Sequence, residues 1–161
     1  MTPAELLRLL QELYRETLEL FLTREINAQS VAAYDANNAY QQMLGRQEVH
    51  LQWLADAIAE IAGTVPESPG HVLRVKPSPE HGQSIIEGDA RAQTTFLERW
   101  TPRVAAITNA RHRKLLELIL GEMKEHLRMF QQALEGRSDL LGRHSDGKVL
   151  RGKVLSARPK N

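Results

Sequence analysis

The sequence predicts an all-α protein, a four-helix bundle of two helical hairpins joined by a long crossover. Three observations lead there. Apolar residues recur at helical spacing from Pro3 to Gly63 and again from about residue 80 to Gly136. The segment between them, GTVPESPGHVLRVKPSPEHG, carries Pro66, Pro69, Pro77 and Pro79, which interrupt any regular element. A composition of 42% hydrophobic, 25% charged and only 5% aromatic residues suits Leu/Ala-rich helices and gives no sign of a sandwich or barrel. At 161 residues the chain suits one domain.

The first helical region is too long to be one element. Some 60 residues of helix would span ~90 Å, more than a compact domain of this size can house, so the chain must fold back. DANN at 35–38 is the strongest turn signal, because Asp and Asn side chains bond the local backbone and tolerate left-handed conformations. Helix A is therefore expected over 3–34, with Pro3 in its first turn, and helix B over 38–62, stopped by Gly63. The crossover follows at 63–79. About 15 extended residues reach ~50 Å, against ~37 Å for a helix of roughly 25 residues, so it can run the length of the bundle. Helix C is expected over 80–107, with Pro102 as a kink, and helix D over 111–136 after the turn TNAR.

Charge is unevenly placed. Residues 137–161 hold seven Lys/Arg against two Asp, while the rest of the chain is net acidic. This Gly- and Ser-rich end lacks helical periodicity and reads as a basic flexible tail. It has no interleaved aromatics to stack on bases, so nucleic acid is not the expected partner. Neither a signal peptide nor a membrane span is expected. The absence of cysteine excludes thiolate metal sites and thiol nucleophiles and fits a reducing cytoplasm.

Placing residues at helical spacing puts polar groups inside apolar seams. On helix B, Gln47 and His50 fall among Met43, Leu51, Leu54, Ile58 and Ile61. Helix C aligns Ile86, Asp89, Gln93, Leu97, Trp100, Val104 and Ile107. Helix D aligns Ile119, Met123, His126 and Phe130, with Glu122 at the edge. Helix A runs through Tyr14, Leu18, Phe21 and Ala28, with Glu25 close to that seam and Gln29 nearer its rim. With turns near 36 and 108, residues equidistant from each turn share a height, so Gln47 and His50 face Glu25, and Glu122 and His126 face Gln93, with Asp89 one turn away. Burying such groups unpaired costs roughly 1–3 kcal/mol each, so the layer must be internally paired, hydrated or metal-bound. His71, His81, His112 and His144 are expected to be solvated, and Trp53 and Trp100 to be packing groups.

On the crossover topology and the phrases QEVHLQWLADAIAEIAG and GEMKEHLRMF, residues 3–136 resemble the ferritin-like superfamily of rubrerythrins, bacterioferritins and di-iron carboxylate oxidases. That resemblance implies an antiparallel four-helix bundle with a metal motif of one Glu on each of two helices and Glu-x-x-His on the other two. Carried over by position, it makes Glu25, His50, Asp89, Glu122 and His126 the metal ligands, with Gln47 and Gln93 orienting them or coordinating weakly. Gln47 and Met123 stand where the Glu of each Glu-x-x-His is expected, and Asp89 or Gln93 where helix C supplies its own. The function implied is iron or manganese binding with oxidoreductase chemistry driven by O₂ or peroxide. The competing reading is a metal-free helical interaction or structural protein whose buried polar layer fixes helix register. Either would be expected to form a homo-oligomer, first of all a dimer.

Overall fold

The computed structural model describes residues 1–69, 72 and 76–141, and among these no strand occurs. The described residues form four helices, α1 (Pro3–Ala28), α2 (Tyr34–Glu60), α3 (Gly82–Ala105) and α4 (Ala110–Leu134), and a 3-10 turn, Pro79–His81, that leads into α3. Helix α1 opens on a capping box, in which Thr2 Oγ1 accepts from the Glu5 N–H at 3.2 Å and the Glu5 carboxylate accepts from the Thr2 N–H at 2.6 Å. Asn109 caps α4 by accepting from the His112 N–H.

The first turn lies earlier than the sequence suggests. Helix α1 stops at Ala28, and DANN lies within the first turns of α2. Asn37 explains the displacement. From inside α2 its amide donates to the carbonyls of Ala28 and Val31, 3.1 Å each, so it ties down the turn without lying in it. Asp35 in the same first turn places negative charge at the positive end of the helix dipole.

The C-terminal stops of α2 and α4 are built alike. At the end of α4, Gly136 takes a left-handed φ of 77°, and the N–H groups of Gly136 and Arg137 return to Ala133 and Gln132. At the end of α2 the same bonds run from Ala62 to Ala59 and from Gly63 to Ile58. There the left-handed position belongs to Ala62, φ 57°, and not to Gly63. Gly63 is needed for space, since a Cβ would come 2.2 Å from Leu7 Cδ1.

Helix α1 packs on α2 and α3, and α4 packs on the same two, so α2 and α3 sit at opposite corners. Directions follow from the side-chain pairs. Glu12 meets Arg103, Glu16 meets Trp100, Arg24 meets Gln93 and Asn27 meets Asp89, so numbers rise along α1 as they fall along α3. Glu60 with Arg111 and Arg46 with Glu122 give the same opposition for α2 and α4. Helices α2 and α3 therefore point the same way. The connection between them begins where Thr64 O accepts from Gln11 Nε2 and ends where the Ser78 N–H donates to Ser30 Oγ, so its two ends lie toward opposite ends of α1.

Two apolar clusters fill the interior. One joins Leu10, Leu13, Leu54, Ile58, Trp100, Val104, Ile119 and their neighbours; the other joins Ala28, Tyr40, Met43, Ile86, Phe130 and Leu140 near the α1–α2 turn. Leu140 amends the expectation of a loose tail from residue 137 onward. It is buried, and Asp139 beside it pairs with Arg137 at 2.5 Å. The remainder of that tail, 142–161, lies outside the described residues.

Candidate polar core

Between the two clusters the four helices turn polar side chains inward. Helix α1 supplies Thr17 and Arg24, α2 supplies Gln47 and His50, α3 supplies Asp89 and Gln93, and α4 supplies His126, all buried. Helical periodicity accounts for this placement, since each lies three or four residues from an apolar seam residue such as Leu13, Ala28, Met43, Leu54, Ile86, Leu97 or Phe130.

Arg24 is the centre. Its guanidinium is 0% exposed, donates through Nη2 to Gln93 Oε1, and lies 5.1 Å from the Phe130 ring centroid. Gln93 is held in turn by donating to the Met123 carbonyl at 2.7 Å. Asp89 lies alongside, accepting from Tyr40 Oη at 2.5 Å and Asn27 Nδ2 at 2.9 Å. Burial pushes the Asp89 carboxyl above its ordinary range, opposed by the Arg24 charge and by those two hydrogen bonds. Burial likewise pushes the Tyr40 phenol up.

A second polar group forms where α2 meets α4. Arg46 grips Glu122 with two hydrogen bonds of 2.9 and 2.8 Å, and His50 Nε2 lies 2.6 Å from the same carboxylate. Burial works against ionisation of Glu122, but the Arg46 and His50 hydrogen bonds outweigh it and hold the carboxyl below its ordinary range. Burial depresses His50, and Glu122 only partly restores it. His126 stacks on His50 with centroids 6.2 Å apart; burial, reinforced by the Arg24 charge, holds its pKa down to about 3. Both imidazoles are therefore neutral near pH 7.

Of the residues expected to bind metal, His50, Asp89, Glu122 and His126 gather in or beside this core, with Gln47 and Gln93 among them. Glu25 does not. It is exposed and lines an outer groove with Phe21, Leu44 and Glu48. The inward stripe of α1 is Leu6, Leu10, Leu13, Thr17, Arg24 and Ala28, which shares only Ala28 with the seam read in the sequence, whose Tyr14, Leu18 and Phe21 are half-buried. The displaced turn moves the height match as well. Leu7 packs on Gly63 and Asn37 reaches Ala28, so Thr17 stands near the height of residues 48–53. His112 also departs from expectation, being buried, whereas His81 is exposed and His71 and His144 lie outside the described residues.

The donor set does not suit a dinuclear carboxylate centre. Asp89 already accepts from two partners, and Glu122 accepts from Arg46 and faces His50. Each of these carboxylates has its own guanidinium, Arg24 for Asp89 and Arg46 for Glu122, so no negative charge remains to offset a divalent cation. Among the described residues no group of three or more His, Asp or Glu is disposed to hold a metal ion. Comparisons with protein-family models, curated proteins and solved structures found no match.

Proposed function

We propose that this chain is a ferritin-like helical module in which a guanidinium-centred polar core stands where the metal layer would be, and that it serves as a metal-free structural or interaction protein. Arg24 carries the reading. A fixed positive charge at 0% exposure opposes a divalent ion in the same interior, and Gln93 and Asp89 are already arranged around it. Buried polar groups of this kind have their best-attested use in fixing register between helices, and this layer ties α1 to α3 and α2 to α4. A second copy of the chain is the partner we favour. The half-buried Phe21 and Leu44 beside the exposed Glu25 and Glu48 give the outer face of α1 and α2 a mixed apolar and charged groove suited to it. A cytoplasmic setting belongs to the same reading, in keeping with the absence of cysteine; among the described residues no helix is long and apolar enough to cross a membrane.

Metal analysis decides between this reading and an iron or manganese oxidoreductase. Protein made with both metals supplied and purified without chelators should carry far less than one ion per chain, and its unfolding midpoint should not change when a chelator is added. A stoichiometric ion whose removal lowers the midpoint would restore the oxidoreductase reading. Sedimentation of wild type and Phe21→Lys tests the partner, with a dimer expected only for wild type.

A further inference from the structure

The polar core has more hydrogen-bonding capacity than its own side chains use. Arg24 Nε and Nη1, both polar atoms of Gln47, Thr17 Oγ1, His50 Nδ1 and His126 Nδ1 are all buried and have no hydrogen-bonding partner on the protein. They belong to neighbouring positions in the bundle. Gln47 and His50 are one turn apart on α2, His126 stacks on His50, Thr17 stands near the height of His50 on α1, and the Arg24 charge is felt at His126. Native interiors rarely leave so many polar atoms unmatched.

The chemistry of these atoms selects what completes them. Arg24 and the Gln47 amide nitrogen can only donate. His50 can only accept at Nδ1. Its Nε2 faces an ionised carboxylate, which takes no other role than acceptor, so the single proton of the neutral ring lies on Nε2. Gln47 Oε1 is a second acceptor, and Thr17 can do either. An anion would serve the donors and repel the acceptors; a cation would do the reverse. Either would also unbalance a core whose two guanidiniums are matched by two carboxylates.

We propose that the mid-height core is a buried hydration site, in which ordered water bridges Thr17, Arg24, Gln47, His50 and His126. Water donates and accepts, adds no charge, and needs only two to four polar neighbours, which this cluster provides. The site rests on the metal-free reading of the core. On that account water serves the Nδ1 atoms of the two stacked histidines, and Gln47, without a direct protein partner, is the residue that holds the water in place.

Oxygen-17 magnetic relaxation dispersion, which counts waters retained longer than the tumbling time, tests this on the intact chain. Wild type should show long-lived waters, of which Gln47→Met removes about two. An amplitude identical in the two proteins would overturn the proposal. Should Gln47→Met fail to fold, a high-resolution crystal structure of wild type decides: density within hydrogen-bond distance of Gln47 Oε1 and Arg24 Nη1 supports the site, and direct pairing of Gln47 with Arg24 overturns it. Metal content measured on the same sample separates the two failures. A bound ion would sink the metal-free reading, whereas a metal-free but dry core would sink only the hydration site.

Discussion

A guanidinium withdrawn from bulk solvent is costly, and on the protein side Gln93 fixes Arg24, Phe130 shields it and Asp89 offsets its charge. Removing it should expose the dependence of its neighbours. Arg24→Met leaves Asp89 as a buried carboxylate without its countercharge and should lower stability by roughly 3–5 kcal/mol in urea titrations, whereas Arg24→Met combined with Asp89→Leu should recover a good part of that loss. A double variant no better than the single one would mean that Asp89 does not depend on Arg24. The histidines give a pH signature. His126 has a folded pKa of about 3, far below the ~6.5 of an unfolded histidine, so its contribution is complete above ~6.5. Below that the unfolded chain takes up a proton that the folded protein refuses, and stability falls by up to about 1.4 kcal/mol per pH unit from this residue. Asp89, with its raised pKa, works in the opposite sense at lower pH. The comparison that isolates His126 is its Leu variant, whose stability between pH 6.5 and 4.5 should fall less steeply than wild type. Parallel slopes would show that His126 titrates normally. None of this was legible for Arg24, because a helical wheel built on apolar spacing assigns arginine to solvent and has no means of seeing a cation enclosed by three other helices.

Helices α3 and α4 each carry one apolar face, and their inward residues were readable from spacing alone: Ile86, Asp89, Gln93, Leu97, Trp100, Val104 and Ile107 are all buried, as are Ile119, Met123, His126 and Phe130; on α2, Met43, Gln47, His50, Leu54 and Ile58 are buried, whereas Leu51 and Ile61 of the same seam are half-buried. Helix α1 is ambiguous. Leu6, Leu10 and Leu13 define one stripe while Leu7, Tyr14, Leu18 and Phe21 define another, and Thr17 and Arg24 interrupt the first, so averaging favours the second. Only the packing of α2 and α3 against it decides. Helix ends show a similar limit, since the sequence marks a glycine but not which of two adjacent residues adopts the left-handed backbone. That distinction is testable at α2. Ala62 holds φ at 57°, where its Cβ is strained, while Gly136 fills the same place after α4 without strain. Ala62→Gly should raise stability by about 0.5–1 kcal/mol, seen as a higher urea midpoint at unchanged slope. Gly63→Ala should do the opposite, because its Cβ would press on Leu7 and stand 2.9 Å from Ile58 Cγ2. A stabilising Gly63→Ala would mean that Leu7 moves aside freely.

At the scale of the molecule, the polar core divides the interior into two ends of unequal strength. One end holds Leu6, Leu9, Leu10, Leu13, Leu54, Ile58, Phe96, Trp100, Ile107, Leu116 and Ile119, large side chains whose burial each contributes roughly 1.5–3 kcal/mol. It also carries a surface network in which Arg103 lies 4.1 Å from the Trp100 ring centroid and pairs with Glu12, and Glu16 accepts from Trp100 Nε1 at 2.6 Å. The other end, at the α1–α2 turn, draws four of its buried residues from Ala28, Ala36, Ala39 and Ala90, with fewer larger groups, Val31, Tyr40, Met43, Ile86, Met129, Phe130 and Leu140. Alanines bury little, so this end should open at lower free energy than the whole protein unfolds. Helix α2 crosses both ends and serves as an internal ruler. Amides of residues 54–58 should exchange slowly, near the rate set by global unfolding, while those of residues 39–43 on the same helix should exchange faster by sub-global opening. Hydrogen exchange under mild denaturant separates the two, because global opening accelerates with denaturant and local opening scarcely does. Substituting the polar core should change the pattern in a defined way. If Arg24 and Gln93 hold the weak end to the strong one, Gln93→Leu, which removes the protein acceptor of Arg24 Nη2, should speed exchange at 39–43 by more than at 54–58. Equal acceleration at both would mean that the polar layer stabilises the bundle uniformly and that the two ends fold as a single cooperative unit.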